Sequence, residues 1–115
     1  MLPERRAHRR YPAGPGASLF RVVSQAGLPL ARATPDDVSS GGALLLSLRL
    51  LPVGAAVVLE VLPSHPLAAR RLDFRVVRCV DMTDGVHLLA GMFDPRLADE
   101  EARALAGASL AGGDG

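Results

Sequence analysis

Three arginines near the start of the chain have a spacing that suits a bound anion or a purine base. Arg5, Arg6 and Arg10 follow the pattern RRxxxR, with His8 and Arg9 at intervening positions. An arginine side chain is a planar fork that pairs with phosphate, matches the O6 and N7 acceptors of guanine, or stacks on a ring. Taken alone, the cluster is better explained as a solvated basic segment, because all thirteen basic residues of the chain are arginine.

A second polar cluster, Asp37-x-Ser39-x-x-Gly42, lies in a stretch rich in turn-forming residues. An Asp carboxylate and a Ser hydroxyl can accept the N–H groups of a guanine ring, and Gly42 would let backbone approach a ring without a Cβ. The plainer interpretation is a turn in which Asp37 and Ser39 bond to neighbouring backbone and Gly42 supplies a positive φ. For this cluster alone, the sequence leaves both interpretations open.

Patterns typical of catalysis or metal binding are missing from the sequence. His8, His65, His87 and Cys79 are scattered, without the paired spacing of a metal site. No serine lies in a G-x-S-x-G turn, and the chain has neither a P-loop nor a G-x-G-x-x-G motif. We therefore expect no metal site and no enzymatic activity.

Length and composition predict a single folded domain. The chain has 115 residues, of which 49% are hydrophobic, and a formal net charge of +1. With only three Phe, one Tyr and no Trp, the core must consist largely of Leu, Val and Ala. Cys79 is the one cysteine and is expected to be a small buried hydrophobe. Lacking both a signal peptide and an apolar run of about 18 residues, the sequence predicts a cytoplasmic protein without a membrane span.

Composition divides the chain into three parts. Residues 1–16 are predicted to be a flexible Arg-rich arm and linker, since two prolines and two glycines in residues 12–16 oppose both helix and sheet ladder. Residues 17–108 carry the folded unit, and residues 109–115 are predicted to be a disordered tail.

Six short runs within the folded unit predict β-strands, at residues 17–24, 28–34, 43–48, 56–62, 70–80 and 86–93. Residues 35–42 are predicted to be a polar loop, and Asp84 and Gly85 a hairpin turn. Asp94 as N-cap and Pro95 as first helical residue predict a C-terminal helix that stops at Gly107. The pattern indicates a mainly β fold, a small six-stranded antiparallel barrel or sandwich with one short helix.

In this order, the two polar clusters resemble the PilZ domain, a bacterial receptor module for the second messenger cyclic di-GMP. The motifs of that family are RRxxxR and [D/N]xSxxG, and both are complete here, the first ahead of the first strand and the second between the second and third. The turn at residues 51–54 and the strand ending at residues 90–93 are also similar. The resemblance covers roughly residues 4–107.

The resemblance implies a six-stranded β-barrel that binds cyclic di-GMP without catalysing a reaction. The ligand-binding residues that it implies are Arg5, Arg6, Arg10, Asp37, Ser39 and Gly42, whereas His8 and Arg9 fall at free positions of the motif. An arm that is disordered when empty would become ordered on the ligand and present a new surface to an unidentified downstream protein. The receptor could be a monomer or a dimer.

Two alternatives remain at this point. A degenerate PilZ-like module would bind a protein partner and no nucleotide, although such modules usually lack the arginines. A nucleic-acid-binding barrel would use the basic arm, but the near-neutral charge and the few aromatic residues count against it.

Overall fold

The computed structural model describes residues 9–62 and 70–107, which form a closed antiparallel β-barrel with one helix. The strands are β1 (Tyr11–Pro12), β2 (Leu19–Ser24), β3 (Pro29–Val38), β4 (Gly42–Ser47), β5 (Ala56–Leu62), β6 (Arg71–Asp81) and β7 (His87–Phe93), and the helix is α1 (Asp99–Ala106). Neighbouring strands follow the order β3-β2-β5-β6-β7-β4, and the pairing of β3 with β4 closes a six-stranded barrel. The predicted fold class is therefore confirmed.

Alternation of apolar and polar residues explains how the strands bury one face. Along β6, Leu72, Phe74 and Val76 point into the barrel while the residues between them are exposed, as period-two patterning requires. All three Phe and the one Tyr join the Leu, Val and Ala of the core. Cys79 is half-buried and packs against the edge of this core.

The predicted polar loop at residues 35–42 is wrong in its first half. Strand β3 continues to Val38, and the loop is reduced to the three residues before β4. Pro35 is buried and pairs with Leu45, and a register shift between Pro35 and Asp37 leaves Asp36 as an extra residue. This β-bulge places Asp36 and Asp37 on the outer face of the strand without breaking the barrel.

The ladder also reaches into the segment that was predicted to be a linker. Tyr11 pairs with Val38 and Pro12 with Asp37, so β1 lies along the outer edge of β3. Beyond it, the Ala13 N–H donates to the Asp36 carbonyl oxygen at 2.9 Å. Residues 1–8 of the predicted arm and linker, and the predicted tail at residues 109–115, lie outside the described residues.

The helix begins later than its local signals predict. Ala98 precedes its first residue and makes no side-chain capping bond, so the predicted start at Asp94 and Pro95 is wrong. This segment is instead tied to the barrel at two points, because the Asp94 N–H donates to the Asp73 carbonyl oxygen at 3.2 Å and the Leu97 N–H donates to the Ser40 carbonyl oxygen at 2.8 Å. The predicted stop is confirmed, because Gly107 has the left-handed conformation at φ 71° that closes many helices.

Two glycines allow β4 and β7 to meet closely above an aromatic side chain. A Cβ added to Gly42 would lie 2.2 Å from the Gly91 carbonyl oxygen. A Cβ added to Gly91 would lie 2.2 Å from the Phe74 ring, which packs against Phe93 with ring centroids 5.4 Å apart. Neither position has room for a side chain.

We expect Gly91→Ala to lower the free energy of unfolding by about 1–3 kcal/mol, because the added methyl group must displace a buried ring. Gly16→Ala is the matched control, since a Cβ at Gly16 meets no atom within 4 Å. Urea denaturation of both variants measures the difference. Equal stability of the two would show that Phe74 can move aside at no cost.

Candidate functional site

An open cleft of about 880 Å³ lies on the outer face of the barrel. It brings together the four motif residues that the structure describes, namely Arg10, Asp37, Ser39 and Gly42. Arg5 and Arg6, the other two predicted ligand-binding residues, lie outside the described residues, as does His8. Arg10 from the first cluster and all three residues of the second, far apart in sequence, thus line one surface.

Strand β1 places Arg10 beside the second cluster. Arg10 directly precedes Tyr11, the first residue paired with β3, and therefore lies next to the end of that strand. Its guanidinium is exposed and makes no ion pair within residues 9–62 and 70–107. Arg10 is thus positioned by the backbone and keeps its side chain available.

Tyr11 fixes this segment to the helix. Its ring is 8% exposed, and its hydroxyl donates a hydrogen bond to Asp99 Oδ2 at 2.6 Å. The Arg103 guanidinium lies 5.6 Å from the ring centroid and 3.5 Å from the same carboxylate, a distance suited to a cation–π contact. The Gly14 N–H donates to the Ala106 carbonyl oxygen at 2.8 Å. The chain is therefore held against the barrel from Tyr11 onward.

Asp37 supplies a half-buried carboxylate to the cleft. Burial raises its pKa, nearby Arg10 opposes that shift, and Asp36 adds to it. Its ionised form is an acceptor that can receive two N–H donors side by side. A ligand that offers such donors would compensate the desolvated charge.

The Ser39 hydroxyl forms part of the turn between β3 and β4. It donates to the Gly42 carbonyl oxygen and accepts from the Gly42 N–H, both at 3.2 Å. The Ser39 N–H donates to the same carbonyl oxygen at 2.8 Å. The turn interpretation of this residue is therefore correct, and Ser39 shapes the rim of the cleft.

Gly42 has a different role from the one that the turn interpretation predicts. The glycines with positive φ in the described part of the chain are Gly27, Gly54, Gly85 and Gly107. Gly42 is not among them, so the expectation of a positive φ is wrong. It is required instead by the close approach to Gly91, and it leaves the cleft floor open at this point.

Sequence reasoning missed the rest of the cleft. Leu44, Ala90 and Met92 lie on its floor, and Met92 is 56% exposed. Arg75 and Arg96 also line the cleft. The alternation along β6 predicts that Arg75 points outward. The sequence does not show which outward residues of β6 and β7 lie beside the Asp-Ser-Gly cluster, because their positions depend on how distant strands pair in the barrel.

Other residues considered from sequence show no convergent site in the described part of the chain. No three His, Cys, Asp or Glu side chains lie close enough together there to hold a metal ion. His87 Nδ1 lies 3.0 Å from Asp81 Oδ1 in the hairpin of β6 and β7, while His65 is outside the described residues. No helix in residues 9–62 and 70–107 is long and apolar enough to span a bilayer.

Comparison of the chain with protein-family models, with curated proteins and with solved structures finds no match. The functional hypothesis therefore depends on the two motifs and on the cleft that they share.

The environment of Asp37 predicts a pH-dependent stability difference for Asp37→Asn. Folding raises the pKa of the Asp37 carboxyl, so the folded chain binds the carboxyl proton more tightly than the unfolded chain does. The free energy of unfolding therefore falls as pH rises from the unfolded-state pKa of this carboxyl through its folded-state pKa. At pH 7 the wild-type protein carries this cost, so we expect Asp37→Asn to melt at a higher temperature. The advantage should disappear below the ordinary carboxyl pKa of 3.8.

Thermal unfolding of both proteins from pH 3 to pH 7 measures the effect. Asp84→Asn, in the exposed hairpin turn, is the control for removing one negative charge. A melting temperature of Asp37→Asn below that of wild type at pH 7 would contradict the prediction.

Proposed function

We propose that this protein is a cyclic di-GMP receptor of the PilZ type. The observation that carries the proposal is the pairing of β1 with β3, because it brings Arg10 of the first motif and Asp37, Ser39 and Gly42 of the second to one cleft. The convergence of Arg10 and the second motif on one surface supports a shared role in binding. The cleft volume of about 880 Å³ is also within the usual range for small-molecule sites.

The chemistry of the cleft suits guanine. A guanine base offers the O6 and N7 acceptors along one edge and the N1–H and N2–H₂ donors along another. Arg10 can donate to the acceptors or to a phosphate, and the Asp37 carboxylate can accept from the donors. Adenine offers the single amino group N6–H₂ in place of this pair of donors, so it would satisfy the half-buried carboxylate of Asp37 less completely.

Arg5 and Arg6 complete the arginine motif in this proposal. Since the chain is held against the barrel from Tyr11 onward, the segment that responds to ligand ends at Arg10 and not at Gly16. Ligand binding would place residues 4–10 over the cleft and create a surface that a downstream protein recognises. The protein would thus act in the bacterial cytoplasm as an adaptor and not as an enzyme.

Isothermal titration calorimetry with cyclic di-GMP tests the receptor proposal. We expect Arg6→Ala, Arg10→Ala and Asp37→Ala each to weaken binding by about 10- to 100-fold, as the loss of a charged hydrogen-bonding partner usually does. Arg9→Ala is the matched control, because Arg9 lies at a free position of the motif and is exposed. Its dissociation constant should stay close to that of wild type.

Wild-type protein that is folded yet gives no heat would reject the receptor and favour the degenerate interaction module. Binding that survives both Arg6→Ala and Asp37→Ala would instead place the ligand elsewhere. Circular dichroism of each variant separates loss of binding from loss of fold.

Hydrogen exchange tests the adaptor mechanism separately from affinity. We expect the amides of residues 4–10 to gain protection when cyclic di-GMP is added. The amides of Ala13 and Gly14, already hydrogen-bonded in the free protein, should change little. Unchanged protection of residues 4–10 at saturating ligand would reject ordering of the arm, even if calorimetry shows binding.

A further inference from the structure

We infer that Arg75 and Arg96 form a second cationic wall of the cleft, one that binds the phosphates of the ligand. The inference rests on the proposed function, since it concerns the same cleft, but neither residue belongs to either motif. It assigns the guanine edge to Arg10 and Asp37, and the phosphate groups to Arg75 and Arg96.

Strand register sets the position of Arg75. Arg75 on β6 pairs with Met92 on β7, and Met92 pairs with Gly42 on β4. The three residues therefore lie in one row across adjacent strands, with Arg75 about 10 Å from Gly42 at the usual strand spacing. Arg75 and Met92 are both exposed, so they share the outer face of the barrel. That row spans the floor of the cleft from one wall to the other.

Two backbone hydrogen bonds hold the segment that carries Arg96. The Phe93 N–H donates to the Gly41 carbonyl oxygen at 2.9 Å, and the Leu97 N–H donates to the Ser40 carbonyl oxygen at 2.8 Å. Both acceptors belong to the turn between Ser39 and Gly42. The chain between β7 and α1 is thus fastened to the second motif on either side of Arg96, which keeps this arginine at the cleft rim.

Neither arginine is neutralised by an acidic partner in residues 9–62 and 70–107. Arg75 reaches only the Gly54 carbonyl oxygen, at 3.4 Å, which is long for a hydrogen bond. Elsewhere, Arg21 and Arg71 both pair with Glu60, and Arg70 forms a two-pronged pair with Glu101. All three arginines that line the cleft, Arg10, Arg75 and Arg96, lack a carboxylate partner in the described part of the chain, as Arg32 and Arg78 also do on other faces.

The charges of the two walls differ in a way that fits the two halves of a nucleotide. Arg10 and Asp37 together are neutral and offer donors and acceptors, as an uncharged base requires. In the second wall, Arg75 and Arg96 carry two positive charges against the one negative charge of Asp94, which also lines the cleft. This net positive charge favours phosphate, whose two negative groups in a cyclic dinucleotide need cationic partners.

Calorimetry with cyclic di-GMP on single variants tests this assignment. We expect Arg75→Ala and Arg96→Ala each to weaken binding by about 5- to 20-fold, the range for a partly exposed charge-assisted hydrogen bond. Arg75→Lys and Arg96→Lys should stay within about 3-fold of wild type, because lysine binds phosphate as a point charge but cannot match a guanine edge with two parallel bonds. Arg32→Ala is the control, since Arg32 is exposed on β3 and does not line the cleft.

Each outcome separates this inference from the receptor proposal. If both alanine variants bind as well as Arg32→Ala while Arg10→Ala and Asp37→Ala lose binding, the second wall is wrong and the receptor stands. If the alanine variants weaken binding but lysine does not restore it, the phosphate assignment is wrong. If folded wild-type protein does not bind, the receptor proposal itself fails.

Discussion

The barrel depends on a contact that only glycine permits. Where β4 pairs with β7, Gly42 lies over the Gly91 carbonyl oxygen, and Gly91 in turn lies over the Phe74 ring. The missing side chain of Gly91 leaves room for the Phe74 ring inside the barrel, and the missing side chain of Gly42 leaves the cleft floor open outside it. The close pairing of β4 with β7 and the shape of the cleft floor therefore both depend on Gly42, a residue of the second motif.

Much of the fold is readable from the sequence because its signals are local. Alternation along residues 70–80 predicts β6 with its inward and outward faces, and the apolar run at residues 56–62 matches β5 at both ends. Asp84 and Gly85 take the positive φ values expected of a tight hairpin. Gly107 ends the helix because αL geometry is nearly free of cost for glycine.

The errors arise where distant parts of the chain decide local structure. Residues 35–37 carry loop chemistry, yet β3 continues through them because Pro35 is buried and the bulge at Asp36 absorbs the polar pair. Asp94 and Pro95 have the composition of a helix start, but hydrogen bonds to β6 and to the turn before β4 postpone the helix. Arg75 and Arg96 could not be assigned to the cleft in advance, since their proximity to the second motif requires closure of the barrel.

The hydrogen bond between the Tyr11 hydroxyl and Asp99 also gives the protein an intrinsic spectroscopic probe. Tyr11 is the one tyrosine in a chain without tryptophan, so a single phenol dominates near-ultraviolet absorption and emission. That phenol lies between β1 and α1, donates to a carboxylate and has a guanidinium near its ring face. Near-ultraviolet circular dichroism responds to such fixed packing. A spectroscopist can therefore follow the junction between the arginine segment and the helix without adding any label.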